Sequence, residues 1–165
     1  MNGKLNVEEN KNKILLAVCV AVPLIVGGLS SFLSGGGMRV FGGLRQPPLS
    51  PPGWLFPVVW TILYIMMGVA SYLVITSGAS MQYIAKAISL YGYQLLANFL
   101  WPIFFFDFGW YFFSFIWLIL LWMLVFKTAK EFVNISRTAA LLLLPYLVWV
   151  AFAGYLNLGI WWLNR

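Results

Sequence analysis

The side chains of this chain that could do chemistry are mostly aromatic rings and neutral amides. Trp60, Tyr64 and Gly68 recur every four residues; Tyr91, Gln94, Asn98 and Trp101 recur at three- and four-residue spacing; Pro145, Trp149, Ala153 and Asn157 again recur every four. On an α-helix each set shares one face. Flat rings with a few amides in a dry surround suit the binding of a planar apolar ligand by stacking. They also suit a plainer task, because amides inside hydrocarbon hydrogen-bond one helix to another. Small Ala153, between Trp149 and Asn157, seats either a neighbouring helix or a flat ligand.

Most other chemistry lacks its parts. The sequence has no histidine and one cysteine, Cys19, which argues against the usual ligation of haem iron and against a zinc site. No metal and no cofactor is expected, and a lone cysteine forms no intramolecular disulfide. There is no serine–histidine pair, no carboxylate pair within an apolar run and no glycine loop leading into a lysine, so no catalytic residue is assigned. Asp107 marks a turn, where a solvated carboxylate is the ordinary reading.

The elements that must position these residues follow from composition. The 165 residues are 62% hydrophobic and 8% charged, against about 25% charged in soluble domains. This is the composition of an integral membrane protein. Charges bound apolar windows long enough to span a bilayer at residues 14–38, 46–85, 87–106, 108–126 and 138–164, the second beginning with a proline-rich loop. The expected fold is an all-α membrane protein, a five transmembrane helix bundle forming a single domain over residues 1–165. Its helices are expected at about 14–34, 54–77, 81–105, 108–126 and 138–163.

Residues 1–13 are polar and expected to fray, and Pro23 predicts a mild kink in the first helix. A cleaved signal peptide is the competing reading of this region; the length of the apolar run and the lack of a clean small-x-small site argue against it. Gly27, Ser31 and Gly35 form a small-xxx-small stripe that predicts close helix packing within the monomer rather than a dimer seam. The segment 127–137 is expected to be a basic loop.

Net charge is +6. The basic residues lie between spans, where they set orientation rather than bind nucleic acid. Alternating spans gather Lys4, Lys11, Lys13, Lys86, Lys127, Lys130 and Arg137 on one side against Arg39, Arg45 and Arg165 on the other, which predicts a cytoplasmic N-terminus. The loop at 35–53 then faces outward. Gly35-Gly36-Gly37 and Gly42-Gly43 bracket Met38 to Phe41, and Pro47, Pro48, Pro51 and Pro52 follow. This pattern reads as a flexible hinge leading into a stiff strap, a lid carrying Pro47, Pro51 and Pro52, with a plain connection as the alternative.

Taken in order, the proline loop, Val59-Trp60-Thr61-x-Leu63-Tyr64-x-x-Met67-Gly68, Gln94-Leu95-x-x-Asn98-x-x-Trp101 with Phe104 and Phe105, and Leu144-Pro145-Tyr146-x-x-Trp149-x-x-Phe152-Ala153-x-x-Leu156-Asn157 closely resemble the TspO family. These are the tryptophan-rich sensory proteins related to the mitochondrial translocator or peripheral benzodiazepine receptor. The resemblance covers almost the whole chain after the N-terminal tail. It implies a five-helix bundle, often a homodimer, in a bacterial cell membrane, binding porphyrins and other hydrophobic ligands in a pocket capped by the first outer loop. Carried over by position, Trp60 and Trp149 match the two tryptophans facing that pocket, and Tyr64, Asn98, Trp101, Ala153 and Asn157 match neighbouring positions. Transport, sensing, sterol binding and light-dependent porphyrin degradation have all been proposed for such proteins. Two departures stand out. The Trp-Tyr pair that many members carry early in the outer loop is replaced around Val40-Phe41, and Leu158-Gly159 with Trp161-Trp162 does not reproduce the proposed cholesterol motif.

Overall fold

The structure, a computed structural model, describes residues 2–35 and 37–165. Its elements are α1 (Asn2–Leu33), α2 (Gly37–Gly43), α3 (Leu55–Ile75), α4 (Met81–Pro102), a π-helical turn (Ile103–Asp107), α5 (Tyr111–Val133), α6 (Arg137–Leu142) and α7 (Leu144–Leu163), with no strand among the described residues. Four helical stretches are long and apolar enough to cross a membrane: Glu8–Leu33 within α1, α3, α5, and Arg137–Leu163, which joins α6 and α7. The expected count of five is therefore not met on length and composition. The exception is α4, which is long enough at 22 residues but carries Gln82, Lys86, Gln94 and Asn98.

Several expected boundaries move for physical reasons. The polar N-terminal tail does not fray: α1 runs on from Asn2, and Glu9 and Lys13 pair one turn apart at 2.7 Å. The expected basic loop at 127–137 is instead mostly helix, with only residues 134–136 between α5 and α6. Lysine and glutamate are good helix formers, so the first charge after an apolar run marks the edge of hydrocarbon and not the end of the helix. Lys86 and Glu131 pair at 2.7 Å and tie α4 to α5 at that end. At the other, Pro102 ends regular α4; the next turn widens so that the Phe108 N–H bonds the Ile103 carbonyl at 3.1 Å. Pro145 similarly separates α6 from α7.

The expected glycine hinge also differs. Gly36 lies outside the described residues, while Gly37 to Gly43 form a short helix, α2, on the π-helical turn. The prolines that follow form a strap along α7. Tyr155 donates to the Pro48 carbonyl at 2.8 Å, and the Asn164 side chain both accepts from the Arg45 N–H and donates to its carbonyl. Pro47 sits over Gly159, where an added Cβ would fall 2.6 Å from the proline ring.

α1 packs on α3 and α4, α4 on α5, and α5 on α7. Met67, Val74, Leu121, Val125, Phe132, Tyr146 and Val150 form the centre of the core. α3 comes against the backbone of α1 at Gly68, where a Cβ would lie 2.5 Å from the Val20 Cα and 2.6 Å from the Cys19 carbonyl oxygen. Of the expected small stripe on α1, only Gly27 is pressed against a neighbour, the ring of Tyr64; Ser31 is exposed and Gly35 meets only its own helix. Outward faces remain apolar, with Val18, Val22, Ile25 and Leu29 on α1 and Ile116, Ile119, Met123 and Phe126 on α5. Such faces suit a hydrocarbon surround.

Candidate functional site

A cavity of about 510 Å³ lies among α1, α3, α4 and α7, with α2 and the π-helical turn across one end. That volume falls within the range of small-molecule and cofactor sites. Six of the seven expected site residues line it: Trp60, Tyr64, Asn98, Trp101, Ala153 and Asn157. Part of each stripe converges there: Trp60 and Tyr64 of α3, Asn98 and Trp101 of α4, and Ala153 and Asn157 of α7, whereas Pro145 at the start of the α7 stripe is exposed.

Trp60 stacks on Tyr64 with centroids 5.5 Å apart and meets Tyr146 edge-on at 6.0 Å. The Tyr64 hydroxyl donates to Asn98 Oδ1 at 2.6 Å, and Asn98 Nδ2 donates to the Tyr146 hydroxyl at 2.9 Å. One amide thus joins three helices. Trp101 stacks on Phe105 at 5.2 Å and donates its indole N–H to Asn157 Oδ1 at 3.1 Å, while Asn157 Nδ2 donates to the Tyr111 carbonyl at 2.7 Å. Both amides brace the bundle and still present a side to the cavity.

Trp149 is placed differently from its expected position. It stands one ring behind the wall, edge-on to the lining residue Phe56 at 5.9 Å and tilted against Phe152 at 5.6 Å. Its buried indole N–H has no hydrogen-bond partner among the described residues, and neither does the Gln94 amide. Pro47, Pro51 and Pro52 are absent from the wall described, and the part of the outer segment that covers the cavity is α2. Pro47 and Pro48 instead line a groove with Tyr155, Trp161 and Trp162.

The structure adds wall residues that spacing alone missed. Phe41 of α2, Phe56 ahead of Trp60, and Phe105 and Phe106 of the π-helical turn complete an aromatic end, with Phe41 edge-on to Phe56 at 5.0 Å. The run Phe104-Phe105-Phe106 after Pro102 was the available signal, because proline perturbs the helix register that follows it. Ser30 and Ser31 of α1 and Ser34 just beyond it add hydroxyls, and Arg39 of α2 adds the only charged side chain in the wall described. Gly28, Ser31 and Thr61 line the cavity and are also exposed, so its wall is open between α1 and α3. Among the described residues no group of histidine, cysteine, aspartate or glutamate is arranged to hold a metal.

Fold and site together define a helical membrane protein with an aromatic, amide-braced cavity inside its bundle. The sequence pattern described as the TspO/MBR family matches residues 19–163, and the chain belongs to that family. It is 38% identical over 156 residues to the tryptophan-rich protein TspO of Chlorobaculum tepidum, covering 94% of this chain and 99% of that protein. It is 31% identical to the protein CrtK of Rhodobacter capsulatus, over 91% of this chain and 92% of that one. With the translocator protein of Ovis aries it shares 36% identity, over 82% and 81% of the two chains.

Proposed function

We propose that this protein is a membrane receptor or carrier that binds tetrapyrroles and similar planar hydrophobic ligands in the cavity. The observation that supports this reading most directly is the wall itself: Trp60, Tyr64, Trp101, Phe105 and Phe106 offer flat faces around a cavity of about 510 Å³. The name translocator protein, borne by the sheep relative, agrees with a carrier. On this reading α4 is the fifth crossing, its polar side chains turned to the interior, and the chain is one five-helix domain. Its N-terminus faces the cytoplasm of a bacterial cell, and the homodimer is the assembly implied by the family resemblance.

Protoporphyrin added to purified protein is expected to quench tryptophan fluorescence saturably, at micromolar concentration or below. Trp60→Phe combined with Trp101→Phe should remove most of the specific quenching. Equal saturation by wild type and double variant would exclude the site. A second reading, light-dependent degradation of protoporphyrin, draws on the position of two indoles, Trp60 and Trp101, in the wall of one cavity. It predicts loss of porphyrin absorbance under illumination faster than in protein-free detergent.

A further inference from the structure

We infer that Arg39 is the specificity-determining residue of the cavity, receiving a carboxylate on the edge of the bound ligand and so selecting planar acids over their neutral analogues. The inference rests on the proposed tetrapyrrole site and names the polar contact that orients the ligand there.

Nearly all neutral donors in the wall are already engaged. The hydroxyls of Ser30, Ser34 and Thr61 donate to backbone carbonyls of Phe99, Ser30 and Pro57 at 2.7 to 2.8 Å. The Tyr64 hydroxyl is held by Asn98, the Trp101 indole by Asn157, and the Asn157 amide by the Tyr111 carbonyl. These groups offer an incoming ligand little beyond lone pairs. Arg39 is different in kind. It is exposed yet lines the cavity, it is the only ionised side chain doing so among the residues described, and it makes no ion pair with any described residue. Its guanidinium presents a planar fork of donors that matches a carboxylate two bonds at a time.

Its position on α2 directs which part of the ligand it meets. Two residues on, Phe41 is buried against Phe105 and Ile160, anchoring α2 across the end of the cavity. A flat ligand with its ring among Trp60, Trp101 and Phe105 would then leave its acidic edge at α2, toward the headgroup region. Burying a carboxylate deeper would meet rings, lone pairs and at most the second N–H of the Asn98 and Asn157 amides, with no cation to offset a large desolvation cost. A tetrapyrrole whose acid groups lie along one edge of an otherwise apolar disc fits that division.

The test compares protoporphyrin with its dimethyl ester, titrated by fluorescence quenching into wild type, Arg39→Gln and Arg39→Lys in lipid nanodiscs. Wild type is expected to bind the free acid about ten-fold more tightly than the ester, the scale of a charge-assisted hydrogen bond. Arg39→Gln should bring the two within about two-fold by weakening only the acid, and Arg39→Lys should keep part of the preference. Arg39 is exposed, so the variants should melt as wild type does. An acid-to-ester ratio unchanged in Arg39→Gln, or equal losses for both ligands, overturns the inference while leaving the cavity reading intact. No saturable binding of either ligand to wild type overturns both.

Discussion

Asn98 illustrates how residue type and geometry divide the explanation. Its place on a stripe of α4 already required that it face the bundle, because an amide turned to lipid would leave donors and acceptors unmatched. That argument favoured helix bracing over ligand contact, and the observed bonds to Tyr64 and Tyr146 establish the bracing. Asn98→Ala would strand two buried hydroxyls, and about 1–3 kcal/mol of stability should be lost, read as a lower thermal midpoint in detergent. A midpoint equal to wild type would mean that the amide carries no net bracing energy. Trp149 shows the converse. Its sequence position is indistinguishable in kind from that of Trp60, yet it lies outside the wall described and meets the lining ring of Phe56 edge-on, a relation that no spacing within α7 encodes.

At the scale of elements, the outer segment divides into two parts with different tasks. α2 covers the cavity with Phe41 and Arg39, while the proline strap is fastened along α7 through Tyr155, Asn164 and Gly159. Its rigidity was legible in Pro47, Pro48, Pro51 and Pro52, but its resting place depends on a glycine more than a hundred residues away in sequence. Leu49, with φ at 66°, is held in a left-handed conformation by the turn that Ser50 closes onto Pro47, a cost of about 1–2 kcal/mol. The contact of α1 with α3 is equally specific. Gly68→Ala would push a methyl group into the Cys19 and Val20 backbone, which cannot swing aside as a side chain could. Loss of about 1–3 kcal/mol is expected, visible in thermal unfolding. An unchanged midpoint would show that α1 can shift outward freely.

For the whole molecule, the ion pair of Lys86 with Glu131 and the Arg45 clasp on Asn164 mark two groups of charges at separate ends of their helices. The basic excess at the Lys86 end predicts that it faces the cytoplasm. With Cys19→Ser as background, Arg45→Cys should react with an impermeant maleimide added to intact cells, and Lys11→Cys should react only after lysis. The reverse pattern would invert the topology. The cavity wall is open where Gly28 and Ser31 of α1 and Thr61 of α3 are exposed.

By itself the sequence determined that this chain belongs in a membrane, that it is helical, and which faces of α3, α4 and α7 turn inward. Those properties depend on composition and on a 3.6-residue period, both local. The tertiary structure alone decided which part of each face meets in one cavity, that Trp149 lies outside its wall beside Phe56, and that α2 rather than the prolines forms the cover. Each of these depends on which side chains from distant segments occupy the same space, and close packing settles that only when all the helices are in place.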